Sequence, residues 1–250
     1  MDGLATITLN RPGALNAMNM DMRAELFSLT EKLHYDDDVR VVVFTGAGRA
    51  FSAGGDIKSF DDTILTPTYR SQLRQITRFY DDLEALEKPV IAALNGPATG
   101  AGIGLALACD LRIASENASL GFREHFIGLI SAAGGCSRLV RLVGLGKAKE
   151  LMFTGDMLDA QHAEAIGLIN RTVPCDQLKS EVQALAQKLM TRAPQAIGLA
   201  KRVLNMATST DQHSSVLLES LAQSILVKTD DHREGVQAFL DKRKPAFRGK

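Results

Sequence analysis

Apolar and polar positions change period repeatedly along this 250-residue chain, and each change marks an element. Leu4–Leu9 alternates apolar residues with threonine, the pattern of a half-buried strand. Asp2-Gly3 before it is a hairpin-turn signal with almost nothing upstream to pair, so an opening strand is expected to be missing. Asn10-Arg11-Pro12-Gly13 ends the strand. Met22, Leu26, Leu29 and Leu33 then recur at helical spacing behind a capping Asn19, which predicts a helix over residues 19–34. Asp36-Asp37-Asp38 reads as a solvated turn before a β-branched strand over 39–45. Residues 60–68 have no periodicity and read as a mobile loop over a site. Thr66-Pro67 opens a helix with Leu73, Ile76, Tyr80 and Leu83 facing inward, and Lys88-Pro89 ends it.

Two continuous apolar runs follow, a buried strand over 89–94 and a buried helix over 100–108. Short strands are predicted at 111–114, 119–122 and 168–173. Between the last two lie a helix ending at Gly144 and short helices over 147–153 and 160–166, each closed by glycine. From Cys175 onward the pattern is helical only, over 176–191, 194–207, 214–227 and 231–242, with Pro194 as a natural break. Val216, Leu217, Leu221, Ile225 and Leu226 give this tail an apolar face that must cover the core or bind another subunit.

Two junctions stand out from this pattern. The strand over 89–94 runs into Asn95-Gly96-Pro97-Ala98-Thr99-Gly100-Ala101-Gly102-Ile103-Gly104, and the strand over 39–45 runs into a second small-residue stretch from Gly46 to Asp56. Backbone with almost no side chains lets a ligand approach main-chain N–H groups, which at a helix N-terminus lack partners within the helix. Two such junctions suggest a pair of donors meeting on one developing negative oxygen. The structural alternative is a pair of tight turns packed for compactness.

Composition narrows the chemistry. A hydrophobic fraction of 45% and a charged fraction of 23% allow a sizeable globular core. A net charge of zero argues against a broad nucleic-acid face. Cys109, Cys136 and Cys175 are too widely spaced for a disulfide framework or a CxxC pair, and they read as reduced thiols of a cytoplasmic protein. The histidines form neither HxxxH nor HExxH, so no metal site is expected. No apolar run is long enough to cross a bilayer.

Four motifs, in order, carry a resemblance that covers essentially the whole chain. They are Asn10-Arg11-Pro12 with Ala14-Leu15-Asn16; Phe51-Ser52-Ala53-Gly54-Gly55-Asp56-Ile57; Lys88-Pro89-Val90-Ile91-Ala92-Ala93 with Asn95-Gly96; and Arg233-Glu234-Gly235-Val236 with Phe239. The set resembles the crotonase family, the enoyl-CoA hydratases and isomerases. The resemblance implies an α/β crotonase-like (ClpP/crotonase) fold, a spiral of ββα turns over residues 1–193, followed by a C-terminal helical trimerisation region over 194–250. It implies assembly as a homotrimer or a dimer of trimers. It also implies an acyl-CoA thioester as substrate, with coenzyme A part of that substrate and no separate cofactor. The N–H groups of Ala53 and Ala101 would bind the thioester oxygen and Gly100 would contact the substrate. Ala14, Leu15, Asp56 and Ile57 would line the CoA groove, and Phe239 and Lys242 would reach the CoA of a neighbouring subunit.

Donors alone move no protons. Glu124 falls where the family places a catalytic glutamate, and it is expected to be partly buried among Phe122, Phe126 and Ile127. The structural alternative pairs it with Arg123 or Arg138; His125 reads as a spectator. Two-carboxylate hydratases carry a second glutamate where this chain has Gly104, and family isomerases often keep only the first. Double-bond migration needs one base that takes and returns a proton, whereas hydration needs a water activated as well. The pattern therefore favours isomerisation, with one-glutamate hydration and a non-catalytic acyl-CoA binder as alternatives. Asp61, Asp62 and Glu116 are candidate second acids that read as solvated. Residues 60–68 and 71–80 would shape the acyl pocket. Gly100, Gly102 and Gly104 also invite a dinucleotide-binding reading with Glu116 as the ribose acid, but the spacing is GxGxG rather than GxGxxG.

Overall fold

A computed structural model describes residues 3–59 and 63–250. In chain order the elements are β1 (Leu4–Leu9), α1 (Met20–Tyr35), β2 (Val41–Gly46), α2 (Thr66–Ala85), β3 (Val90–Leu94), β4 (Ala98–Thr99), α3 (Ala101–Ala108), β5 (Leu111–Ser115), β6 (Ser119–Gly121), α4 (Gly135–Thr154), β7 (Leu158–Asp159), α5 (Ala160–Ala165), β8 (Arg171–Val173), α6 (Leu178–Met190), α7 (Pro194–Ala207), α8 (Gln212–Leu226) and α9 (Asp230–Leu240). Strands β1-β2-β3-β5-β8 form a five-stranded parallel sheet. A second sheet has the order β4-β6-β7.

Both faces of the large sheet are covered, so its strands read as continuous apolar runs rather than as alternation. Val42 and Phe44 of β2 pack with Leu26 of α1 and Phe79 and Leu83 of α2. Val41 and Val43, the alternate positions, pack with Leu178, Val182 and Ala186 of α6. Each such valine, leucine or phenylalanine side chain, fully buried, contributes about 1.5–3 kcal/mol. Helix α3 is buried along Gly102 to Ala108, in agreement with its lack of a polar face.

Most expected elements are present, with a few differences. The predicted helices before and after Gly144 run on as α4, kinked at that residue (φ 75°, ψ 164°). The strand expected over 168–173 is confined to Arg171–Val173 because Leu168 and Ile169 are packed into the core instead. Strand β4 was not expected; it is two residues long, below the reach of periodicity. Phe60, Asp61 and Asp62, and with them much of the expected loop and two candidate acids, lie outside the described residues, as does Asp2. Cys109, Cys136 and Cys175 are free thiols, and burial pushes Cys109 up to about 12.

Helix α7 is fastened to the sheet by a buried cation. Lys201 Nζ lies 2.9 Å from Asp110 Oδ2 and donates to the carbonyls of Leu83 and Lys88. Helices α8 and α9 leave an apolar face in water: Leu217 is 56% exposed, Ile225 58% and Phe239 84%. Among the described residues no helix is long and apolar enough to cross a membrane.

Candidate active site

The two small-residue junctions meet. On one side the segment from Phe51 is tethered to the entry of α3: Phe51 and Ser52 N–H donate to Pro97 O at 3.0 and 3.2 Å, and Thr99 N–H donates to Ser52 O at 2.9 Å. On the other side it is tethered to the turn after β1: Ala53 N–H donates to Leu15 O at 2.9 Å, Met18 N–H to Gly54 O at 2.7 Å and Asp56 N–H to Met18 O at 3.1 Å. Two asparagine side chains, Asn16 buried and Asn95 half-buried, lock both turns. Asn16 Nδ2 donates to Ala47 O and Ala50 O, and Asn95 Nδ2 to Gly48 O and Ala50 O, while Asn95 Oδ1 accepts from Gly46 N–H. Amides suit this task because one side chain satisfies donors and acceptors together, and unpaired buried carbonyls are costly.

This double tether uses one of the amides singled out above. The Ala53 N–H, expected to be free for a substrate oxygen, is consumed by Leu15 O. Gly54 N–H is directed at Ser52 Oγ, 3.2 Å away. The N–H of Gly55 has no acceptor among the described residues, because its bridge to Met18 uses only the flanking Gly54 carbonyl and Asp56 amide. Gly54 makes the turn at φ 94°, and a Cβ there would stand 2.8 Å from Thr99 O and 3.0 Å from Ala101 N, so a side chain is excluded. Ala101 is the first residue of α3, and its N–H is one of the orphans of that helix start; the helix ladder begins with Gly104 N–H on Gly100 O. Gly55, Gly100, Ala101, Ile57 and Ala53 all line one cavity of about 280 Å³.

Glu124 lines the same cavity. It opens a 3-10 turn, Glu124–Ile127, closed by Gly128 in the left-handed region. Its Oε2 is buried without a hydrogen-bond partner, and its Oε1 would be 3.9 Å from a Cβ on Gly100. The ion pairs that sequence allowed are absent. Arg138 is held by Asp81 and Glu84 of α2, and the Arg123 guanidinium lies 4.9 Å from the centre of the Phe126 ring. The expected shielding is only partly realised: Phe122 is buried, but Phe126 and Ile127 are exposed. A second cavity of about 460 Å³, walled by Phe122, Leu129, Val140, Ala148 and Met152, shares Glu124 with the first.

Tyr80, expected on the inward face of its helix and within the 71–80 stretch of the acyl pocket, lines the Glu124 cavity and also reaches the start of α3. It is fully buried, and its hydroxyl donates to Ala101 O at 2.6 Å. Burial pushes its own ionisation far up. A Cβ on Gly104 would meet the Tyr80 ring at 3.3 Å, a tight contact that admits a side chain only if the ring gives way. Burial, followed by the charge of Glu124, also raises the nearby Cys136 thiol.

The remaining candidates are dispersed. Asp56 is paired with Arg11 at 2.9 Å, and that hydrogen bond holds its carboxyl below the usual range. Ala14 and Leu15 are half-buried at the turn after β1 and lie outside the lining of the Glu124 cavity. Phe239 and Lys242 lie at the end of α9 and also line no part of it. Glu116 sits beyond the other end of β5, where its Oε1 accepts from Cys175 N–H.

The family model described as enoyl-CoA hydratase/isomerase matches residues 1–250. A short-chain-enoyl-CoA hydratase of Clostridium acetobutylicum is 38% identical over 242 residues, covering 96% of this chain and 92% of its own. A crotonyl-CoA hydratase of Syntrophomonas wolfei is 38% identical over 98% of this chain and 94% of its own. The crystal structure of an enoyl-CoA hydratase from Bacillus anthracis superposes with a TM-score of 0.95 at 37% identity, covering 100% of this chain and 97% of that one. Sequence and fold together place this chain in the enoyl-CoA hydratase/isomerase family, the crotonases.

Proposed function

We propose that the protein moves the double bond of an enoyl-CoA thioester, with Gly55 and Ala101 N–H on the thioester oxygen and Glu124 as the single proton carrier. The Glu124 carboxylate takes a proton from C2 of a 3-enoyl-CoA. The C–H electron pair spreads into a dienolate whose charge gathers on the carbonyl oxygen. The same carboxyl then gives the proton to C4, leaving the double bond between C2 and C3. Two fixed donors hold the enolate oxygen more strongly than the neutral carbonyl, which is what lowers the barrier. One such donor is worth about 3–4 kcal/mol.

The observation that carries this reading is that Glu124 has an unpartnered buried oxygen in the cavity lined by Gly55 and Ala101, while the Tyr80 ring packs tightly against Gly104. Hydration by one glutamate is the second reading, favoured by relatives that are named hydratases. Glu124→Gln keeps the shape and removes the proton carrier, so double-bond migration is expected to fall about 10²–10⁴-fold with little change in acyl-CoA affinity. Full activity of this variant on both 3-enoyl-CoA and 2-enoyl-CoA ends the proposal. Acyl-CoA binding by the wild type without turnover of any thioester leaves only the binder reading.

A further inference from the structure

We infer that Arg23 is a third electrostatic element of this site, a cation that no carboxylate of the described residues pairs with and whose charge the enolate meets. This rests on the proposed enolate chemistry and extends it to a residue outside the four motifs of the resemblance.

Arg23 lies in the first turns of α1 and lines the cavity that holds Gly55, Ala101 and Glu124. Its Nη2 would be 3.0 Å from a Cβ on Gly55, so the guanidinium stands directly beside the free amide. Its Nε is buried with no hydrogen-bond partner. Among the described residues no carboxylate pairs with it, although Asp21 is on the same helix and Glu124 is in the same cavity.

Among the described residues no acceptor or carboxylate offsets this placement. Arg23 is half-buried, and its buried Nε–H without an acceptor is costly. The start of a helix is also the wrong end for a cation, because the macrodipole is positive there. The chain before Arg23 fixes where it stands: Met18 bridges Gly55, and Asn19 caps α1 through Met22 N–H, so the helix starts against the oxyanion segment. A fixed positive charge beside an amide that receives developing negative charge acts mainly in the transition state, and its cost is met in folding rather than at the moment of reaction. Arg23 acts through the field at the oxygen and takes no proton.

The test compares wild type, Arg23→Met, Arg23→Gln and Arg23→Lys, each checked by thermal melting. Acetoacetyl-CoA is the first probe, since its enolate absorbs in the near ultraviolet and reports the fraction ionised when bound. Arg23→Met is expected to raise the apparent pKa of bound acetoacetyl-CoA by about one unit, a tenfold loss of enolate stabilisation, with Arg23→Lys in between. On a 3-enoyl-CoA, kcat is expected to fall about 10–100-fold with KM within about twofold. The same loss is expected for an alkyl acyl group and for one of equal length ending in a carboxylate.

Three results overturn the inference. One is an unchanged apparent pKa in a folded Arg23→Met variant. Another is a loss confined to the carboxylate-ended substrate, which makes Arg23 a reader of anionic acyl groups. The third is a rise in KM alone. A wild type that neither shifts acetoacetyl-CoA nor turns over any enoyl-CoA defeats the proposed function and this inference together.

Discussion

A peptide N–H can be given to one strong acceptor at a time, and at residues 53–55 that accounting separates a structural amide from a free one. Ala53 spends its N–H on Leu15 O, while Gly55 keeps its own. The motif around Asp56 shows that an amide here is special; it does not show which. Ala101 offers a clean test. It is the first residue of α3, where proline is tolerated because the N–H has no helical partner. Ala101→Pro is therefore expected to melt close to the wild type but to lose about 10²–10³-fold in kcat, measured on a 3-enoyl-CoA. Unimpaired turnover by that variant removes Ala101 from the site. Glu124 was legible as a candidate from its position, but its freedom from Arg123 and Arg138 was not, since both arginines find partners through folding.

At the level of elements, the packing of α2 on α3 governs how many carboxylates the site holds. Tyr80 of α2 presses on Gly104 of α3 and hydrogen-bonds Ala101 O. Gly104→Glu alone overpacks this contact, and about 1–3 kcal/mol of destabilisation is expected from thermal melts. Gly104→Glu combined with Tyr80→Ala opens room for the new side chain. It is expected to recover stability relative to the single variant and to raise hydration of a 2-enoyl-CoA relative to double-bond migration. No gain in hydration from a folded double variant shows that the second carboxylate is not what separates the two reactions. The helices themselves were readable from periodicity, including the inward face of α2 with Ile76, Tyr80 and Leu83. The contact between Tyr80 and Gly104 was not, because they lie on different elements and nothing local couples them.

For the whole molecule, the apolar face of α8 and α9 is the feature that folding of one chain leaves unsatisfied. Leu217, Leu221 and Ile225 share the exposed side of α8. Contiguous apolar surface of this kind marks an interaction site. Assembly through these helices as a trimer or a dimer of trimers is our proposal, and replacing Leu217 and Leu221 together by lysine is expected to yield monomers in light scattering. A monomeric wild type refutes it.

The sequence by itself determined most of the elements, the family and the identity of Glu124 as the proton carrier to be tested. Those properties are written in local period, turn chemistry and ordered motifs. Only the tertiary structure decided that Ala53 N–H goes to Leu15 O while Gly55 N–H has no acceptor among the described residues, that Tyr80 packs tightly against Gly104, and that no carboxylate of the described residues pairs with Arg23 beside Gly55. Each of these depends on which partner a group finds across the fold, and hydrogen bonds, space and charge are shared out only when distant segments meet.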